Sequence, residues 1–117
     1  MPVGNKIIKR VEIKEFLKQI REYSKEQIEC TNHIFFRLSE EQRKIYICEK
    51  LREYLFYEEP FLVGLQNNGN YAVFYKHEKN KFMRMIINMN IRKVNIVTFY
   101  FVEQRQIPRI WNKQTDI

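Results

Sequence analysis

Glycine and proline are scarce, with three of each in 117 residues. Long flexible linkers and low-complexity spacers draw heavily on both, so the chain is expected to hold none. Histidine and cysteine are scarcer still, at two of each. Cys30 and Cys48 have neither CxxC spacing nor a neighbouring pair of histidines, so the usual zinc-holding patterns are missing. Both cysteines sit beside apolar residues and read as reduced, largely buried thiols. No apolar run reaches the length that spans a bilayer, and no apolar segment succeeds the basic start MPVGNKIIKR as it would in a secretory leader. The expected location is the cytoplasm, with no membrane attachment. The P-loop, GxGxxG, HExxH and GxSxG signatures are absent as well. Nucleotide-driven, metalloprotease and serine-hydrolase chemistries therefore lack their markers, and no cofactor or metal is expected.

Negative charge is in the minority. Fourteen Asp and Glu face 21 Lys and Arg, giving a formal charge of +7 and an isoelectric point near 9.5. A small protein this basic attracts polyanions, because each phosphate it neutralises releases condensed counterions. Nucleic acid is the commonest such partner. An acidic protein or an anionic membrane surface also fits, and plain solubility is the alternative that invokes no partner.

Apolar and aromatic residues are plentiful: 44% hydrophobic, including nine Phe and seven Tyr. That suffices for one packed domain and is too short for two. The domain is expected over residues 1–110, helical over 10–58 and sheet over 60–103, with 111–117 as a tail. In VEIKEFLKQIREYS the apolar positions Val11, Ile13, Phe16, Leu17 and Ile20 recur at helical spacing, which predicts a helix over 10–23. IECT reads as a short extended piece, with Thr31 or Asn32 capping the next helix. Ser39 and Gln42 have capping-box spacing ahead of a stripe formed by Ile45, Cys48, Leu51 and Leu55. Pro60 closes the helical half.

Beyond Pro60 the period changes. FLVGLQ, YAVFYKH, FMRMIIN and KVNIVTFYFVE are strand-length and rich in β-branched and aromatic residues. NNGN at 67–70 predicts a type I′ hairpin turn, and EKNK and MNIRK supply two more. Short connections make an antiparallel meander. The expected fold is α+β: N-terminal helices packed on one face of a four-stranded antiparallel sheet, with the other face open. Alternation places Val97, Phe99 and Phe101 in the core and Ile96, Thr98 and Tyr100 on the more polar face.

The residues left to carry chemistry are His33, the arginines Arg37, Arg43 and Arg84, and Tyr75, Lys76, His77 and Tyr100 on the strands. Metal-free RNA cleavage needs a base for the ribose 2′-hydroxyl, an acid for the leaving oxygen, and cations for the charge that builds on phosphorus. Histidine suits proton transfer near neutrality, and the arginine fork pairs with two phosphate oxygens. His33 and Arg37 would share a face of one helix, and a break near Ser39 could bring Arg43 back to them. The plainer alternative leaves His33 as a packing or capping residue and the arginines in solvent. Tyr100 could stack on a base or donate a proton.

The segment TNHIFFRL…R resembles the H-x-x-x-R…R helical segment of the RelE/BrnT-type ribonuclease toxins, the small basic toxins of prokaryotic toxin–antitoxin systems. GNYAVFYKHEKNKFMRMII…VNIVTFYFVE is similar to that family's closing meander. The resemblance spans about residues 28–103. It implies a barnase/RelE-like fold, metal-independent endoribonuclease activity and neutralisation by a cognate acidic antitoxin, with a homodimer left open. By position it implies His33, Arg37, Arg43 and Tyr100 as catalytic residues and Lys76, Arg84 and Thr98 as RNA contacts. The helix over 10–23 is an addition to the family pattern, and no second histidine stands near the C-terminus. The competing expectation is a non-catalytic RNA-binding or protein-interaction module that uses the open sheet face.

Overall fold

The computed structural model describes residues 6–31 and 34–107. His33 and the tail from Trp111 onward, both singled out from the sequence, lie outside the described residues. The elements run β1 (Ile7–Arg10), α1 (Ile13–Ile20), β2 (Ile28–Cys30), α2 (Glu40–Ile45), α3 (Cys48–Tyr57), β3 (Leu62–Gln66), β4 (Tyr71–Lys76), β5 (Lys81–Met89) and β6 (Val94–Glu103). The fold is mixed α+β, as expected. The sheet, however, has six strands rather than four, in the order β1-β3-β4-β5-β6-β2.

The expected meander forms its centre. The two additional strands are edges of four and three residues; β2 falls in the IECT piece expected to be extended, and β1 is too short for a period of two to show in the sequence. β1 runs antiparallel to β3, and Val11 extends that ladder by donating to the Val63 carbonyl at 2.9 Å. This pairing takes the start of the expected 10–23 helix, so α1 begins at Ile13. β2 runs parallel to β6, with Cys30 opposite Ile96.

The Ser39 capping box is present in full. The Ser39 hydroxyl accepts from the Gln42 amide at 3.1 Å, and the Gln42 side chain accepts from the Ser39 amide at 2.9 Å. Helix α2 is only six residues long, and Ile45 at its end is 55% exposed instead of joining the expected apolar stripe. The stripe resumes in α3, where Leu51 and Leu55 are buried.

The 67–70 hairpin is not type I′. Asn68 stays at negative φ, and Gly69 alone takes the left-handed region, at φ +92°. The Gly69 amide donates to the Gln66 carbonyl and the Gln66 amide to that of Asn70. This is a three-residue loop whose last position requires glycine.

The main core lies between the helices and one sheet face. Phe16 and Ile20 of α1 and Leu51 and Leu55 of α3 pack with Val63, Val73, Tyr75, Met83, Met85, Ile87, Val94, Ile96 and Phe99. The opposite face is not open. Leu62, Ala72, Phe74, Phe82, Ile86, Val102 and Ile107 form a second buried cluster there. A β-bulge explains which residues face which way. Ile86 pairs with Thr98 and Ile87 with Ile96, leaving Val97 as the extra residue on β6. Val97 therefore packs on the second cluster, and Ile96 joins Phe99 in the main core. Strict alternation had assigned both to the other face.

Candidate functional site

The segment between β2 and α2 was expected to continue as a helix bearing His33 and Arg37. Its described part, 34–38, is a run of turns. Two apolar side chains hold that run in the core, Ile34 at 1% and Leu38 at 5% exposure. The backbone is tied at both ends. The Thr31 amide donates to Ile96 O at 3.1 Å and the Thr31 hydroxyl to Val97 O at 3.2 Å, so the turn is hung on the bulge of β6. Arg43 reaches back from α2, with Nε on the Phe35 carbonyl at 3.0 Å and a terminal nitrogen on that of Phe36 at 3.3 Å. Arg43 thus clamps the turn from below; the contacts it makes are with backbone.

The turn delivers Arg37 to the sheet. Its guanidinium carbon sits 3.9 Å from the centre of the Tyr100 ring, within the range of a cation–π contact. Arg84 approaches the same ring at 5.7 Å and the Phe74 ring at 5.4 Å. Register dictates this grouping: Phe74 pairs with Arg84 and Arg84 with Tyr100, so the three stand side by side across β4, β5 and β6 on the face away from α1 and α3. Arg84 is half-buried, and its Nε is sealed from solvent without a hydrogen-bond partner. A buried donor on a charged group left unpaired is costly and calls for an explanation. Two guanidinium groups beside one aromatic ring make a cationic patch suited to an anion with several oxygens.

Lys76 and Thr98 belong to the same sheet face. Lys76 lies opposite Phe82, with its ammonium 5.4 Å from the Phe61 ring, and Thr98 is half-buried opposite Ile86. Both are placed along the strip that Arg84 and Tyr100 occupy. His77 and Tyr75 are on the other face. The His77 ring packs on Phe101 at 4.9 Å and on Tyr46 at 6.3 Å, with Glu78 at 3.9 Å from Nε2. Tyr75 is fully buried, and burial drives its phenol pKa upward, with lesser pushes from Glu58 and Tyr54. Burial likewise raises Tyr46, helped by Tyr54 and Glu78. Both phenols stay neutral at physiological pH and act as packing groups.

Of the residues singled out from the sequence, then, Arg37, Arg84 and Tyr100 come together. Lys76 and Thr98 flank them, and Arg43 supports the turn from behind. Phe74 was missed as a wall of the site. Its signal was present, since it shares a strand face with Ala72 and Lys76, but only the strand register reveals that it stands beside Arg84.

One expectation about the cysteines is overturned. Cys30 at the end of β2 and Cys48 at the start of α3 are joined in a disulfide, with their Cα atoms 6.1 Å apart. Eighteen positions separate them in the sequence, and no spacing rule links them; the fold juxtaposes them by docking α3 beside β2. No cluster of metal-ligating side chains occurs among the described residues, and no helix among them is long and apolar enough to cross a membrane. Compared with protein-family models, with curated protein sequences and with solved structures, the chain matches none.

Proposed function

We propose that this chain is a cytoplasmic, metal-independent endoribonuclease of the toxin type, with a barnase/RelE-like fold and an acidic antitoxin as its protein partner. The observation that carries the reading is the convergence of Arg37 and Arg84 on Tyr100, with the Arg84 Nε buried and unpaired. Phosphodiester cleavage by the 2′-hydroxyl builds negative charge on the phosphorus oxygens. Fixed guanidinium groups meet that charge without reorganising. Arg37 and Arg84 are assigned to those oxygens, and Tyr100 to holding the guanidinium planes and stacking on an adjacent base. Arg43 acts as a positioning residue through the Phe35 and Phe36 carbonyls. His33 remains the assigned proton-transfer group on its position in the motif. Lys76 and Thr98 extend the RNA path along the sheet face, and the net charge of +7 supports a polyanionic substrate.

A second reading is an RNA-binding module without cleavage. It is favoured by the place of His77, which packs against Phe101 and Tyr46 on the helix-facing side rather than beside Arg84.

The test is cleavage of an end-labelled RNA in the presence of EDTA, scored for a 2′,3′-cyclic phosphate end, together with growth of a host cell expressing the chain. Metal-free cleavage and growth arrest, both relieved by Arg37→Ala, support the nuclease. Binding without cleavage favours the module, and activity lost on adding EDTA refutes the metal-free mechanism.

A further inference from the structure

The Cys30–Cys48 bond encloses the part of the chain that supplies Arg37. The turn at 34–38 and the whole of α2, with Arg43, lie between the two sulfurs. Cys30 is the last residue of β2, paired with Ile96 on the strand that carries Tyr100. Cys48 is the first residue of α3. The bond therefore closes a loop whose anchor points are an edge strand and a helix start, and whose cargo is one half of the cation–π contact.

Both cysteines are half-buried rather than sealed. The body of the domain does not depend on the bond. α3 stays docked through Leu51 and Leu55, and Arg52 Nε donates to the Ile28 carbonyl at 2.6 Å, tying α3 to the start of β2. By contrast, the enclosed segment rests on three buried side chains, Ile34, Leu38 and Tyr46, with the Thr31 bonds and the Arg43 clamp. Residues 34–47 contribute no strand to the sheet, and segments outside the hydrogen-bonded core open before it. Where disulfides do occur in cytosolic proteins, they are usually redox-sensing or catalytic.

We propose that Cys30 and Cys48 form a thiol–disulfide exchange site, and that reducing it releases the Arg37-bearing segment from Tyr100. The co-reactant is a dithiol. Its thiolate attacks one cysteine sulfur, the S–S bond breaks, and the other sulfur leaves as a thiolate that takes up a proton. The second thiol of the reagent then closes its own disulfide, freeing the first sulfur. The protein gains two electrons and two protons, and the dithiol loses them. The cytosolic setting and the consequence for RNA rest on the function proposed above: the reduced form holds Arg37 loosely and handles RNA poorly.

The experiment uses the full chain in two states, treated with glutathione disulfide or with dithiothreitol. Thiols are counted by alkylation and mass spectrometry. Amide hydrogen exchange and RNA binding are measured on both states. The expected result is no free thiol in the first state and two in the second. Exchange at 34–47 should be at least about tenfold faster on reduction, with β4 and β5 unchanged. RNA affinity should fall in parallel, and Cys30→Ser and Cys48→Ser should behave as the reduced protein whatever the reagent. Free thiols after glutathione disulfide, or identical exchange in both states, overturns the proposal. Reduction-dependent loosening with no RNA bound in either state supports the exchange site and refutes the RNA reading. Loosening with unchanged RNA affinity overturns the link to Arg37.

Discussion

The guanidinium of Arg37, carried by the turn after β2, lies 3.9 Å from the ring centre of Tyr100 on β6. A guanidinium lies flat on the ring and keeps its fork for phosphate oxygens, which an ammonium does not. Arg37→Lys is therefore expected to keep the charge yet lower RNA cleavage by about 100- to 1,000-fold, because an ammonium cannot form the bidentate pair with phosphate oxygens. Tyr100→Phe keeps the ring and should retain most RNA affinity, whereas Tyr100→Leu should lose it. Steady-state cleavage and binding by the three variants check this, and equal behaviour of the two Tyr100 variants would remove stacking from the account.

Arg43 acts through the turn. Losing its bonds to the Phe35 and Phe36 carbonyls should cost about 0.5–1.5 kcal/mol each at most, since both are formed in contact with solvent. Arg43→Ala is thus expected to fold with a small loss of stability and a larger loss of cleavage. A urea melt paired with a rate measurement separates the two. A variant that matches wild type in both would show that the clamp does not hold Arg37 in place.

The core prediction concerns Phe99, which is fully buried among Tyr46, Phe101 and the residues of α1 and α3. Phe99→Ala should destabilise by roughly 3–5 kcal/mol, the range for a truncated buried aromatic. Val97→Ala should be milder, because the bulge turns Val97 toward the second cluster, where it is only half-buried. Denaturant midpoints for the pair test the face assignment directly.

Much of this arrangement can be read in the sequence, because the signals are local. The meander arises from four β-rich runs and three turns, and Ser39 with Gln42 marks the start of α2. What is not legible depends on distant partners. β1 becomes a strand only because β3 offers an edge, and the IECT piece, read as extended, gains its partner only from β6. The Val97 bulge reverses the alternation on β6 and is set by β5, not by the residues around it. Arg37 was assigned to a helix face, yet it reaches Tyr100 from a turn hung on that bulge. The disulfide joins residues brought together by the docking of α3 beside β2. The arginine and tyrosine residue types pointed to phosphate chemistry, but only register placed Phe74, Arg84 and Tyr100 in one row.

Stability should fall at alkaline pH in a defined direction. The folded state raises the pKa of Tyr75 through burial, and those of Tyr46, Tyr54 and Tyr23 move the same way. The folded protein therefore holds these protons more tightly than the unfolded chain. Their contribution is intact below about pH 10, the ordinary tyrosine value, and is lost as pH climbs from there toward the folded values. Tyr75→Phe should be close to wild type at neutral pH, since its hydroxyl makes only a long 3.4 Å bond to the Tyr54 carbonyl. It should lose less stability than wild type above about pH 10. Chemical melts at neutral pH and above about pH 10 give the comparison, and an unchanged alkaline loss would mean that Tyr75 ionisation plays no part.

The proposed receipt of an RNA phosphate by Arg37, Arg84 and Tyr100 together is the point on which the nuclease reading turns. Its most direct measurement is the salt dependence of single-stranded RNA binding by wild type and by Arg84→Ala. For single strands the logarithm of affinity falls by roughly 0.7 per phosphate contact for each unit of log salt. A steep negative slope is expected for wild type and a slope shallower by about 0.7 for Arg84→Ala, with weaker binding throughout. A flat response in wild type, or identical slopes and affinities for the two proteins, would contradict it.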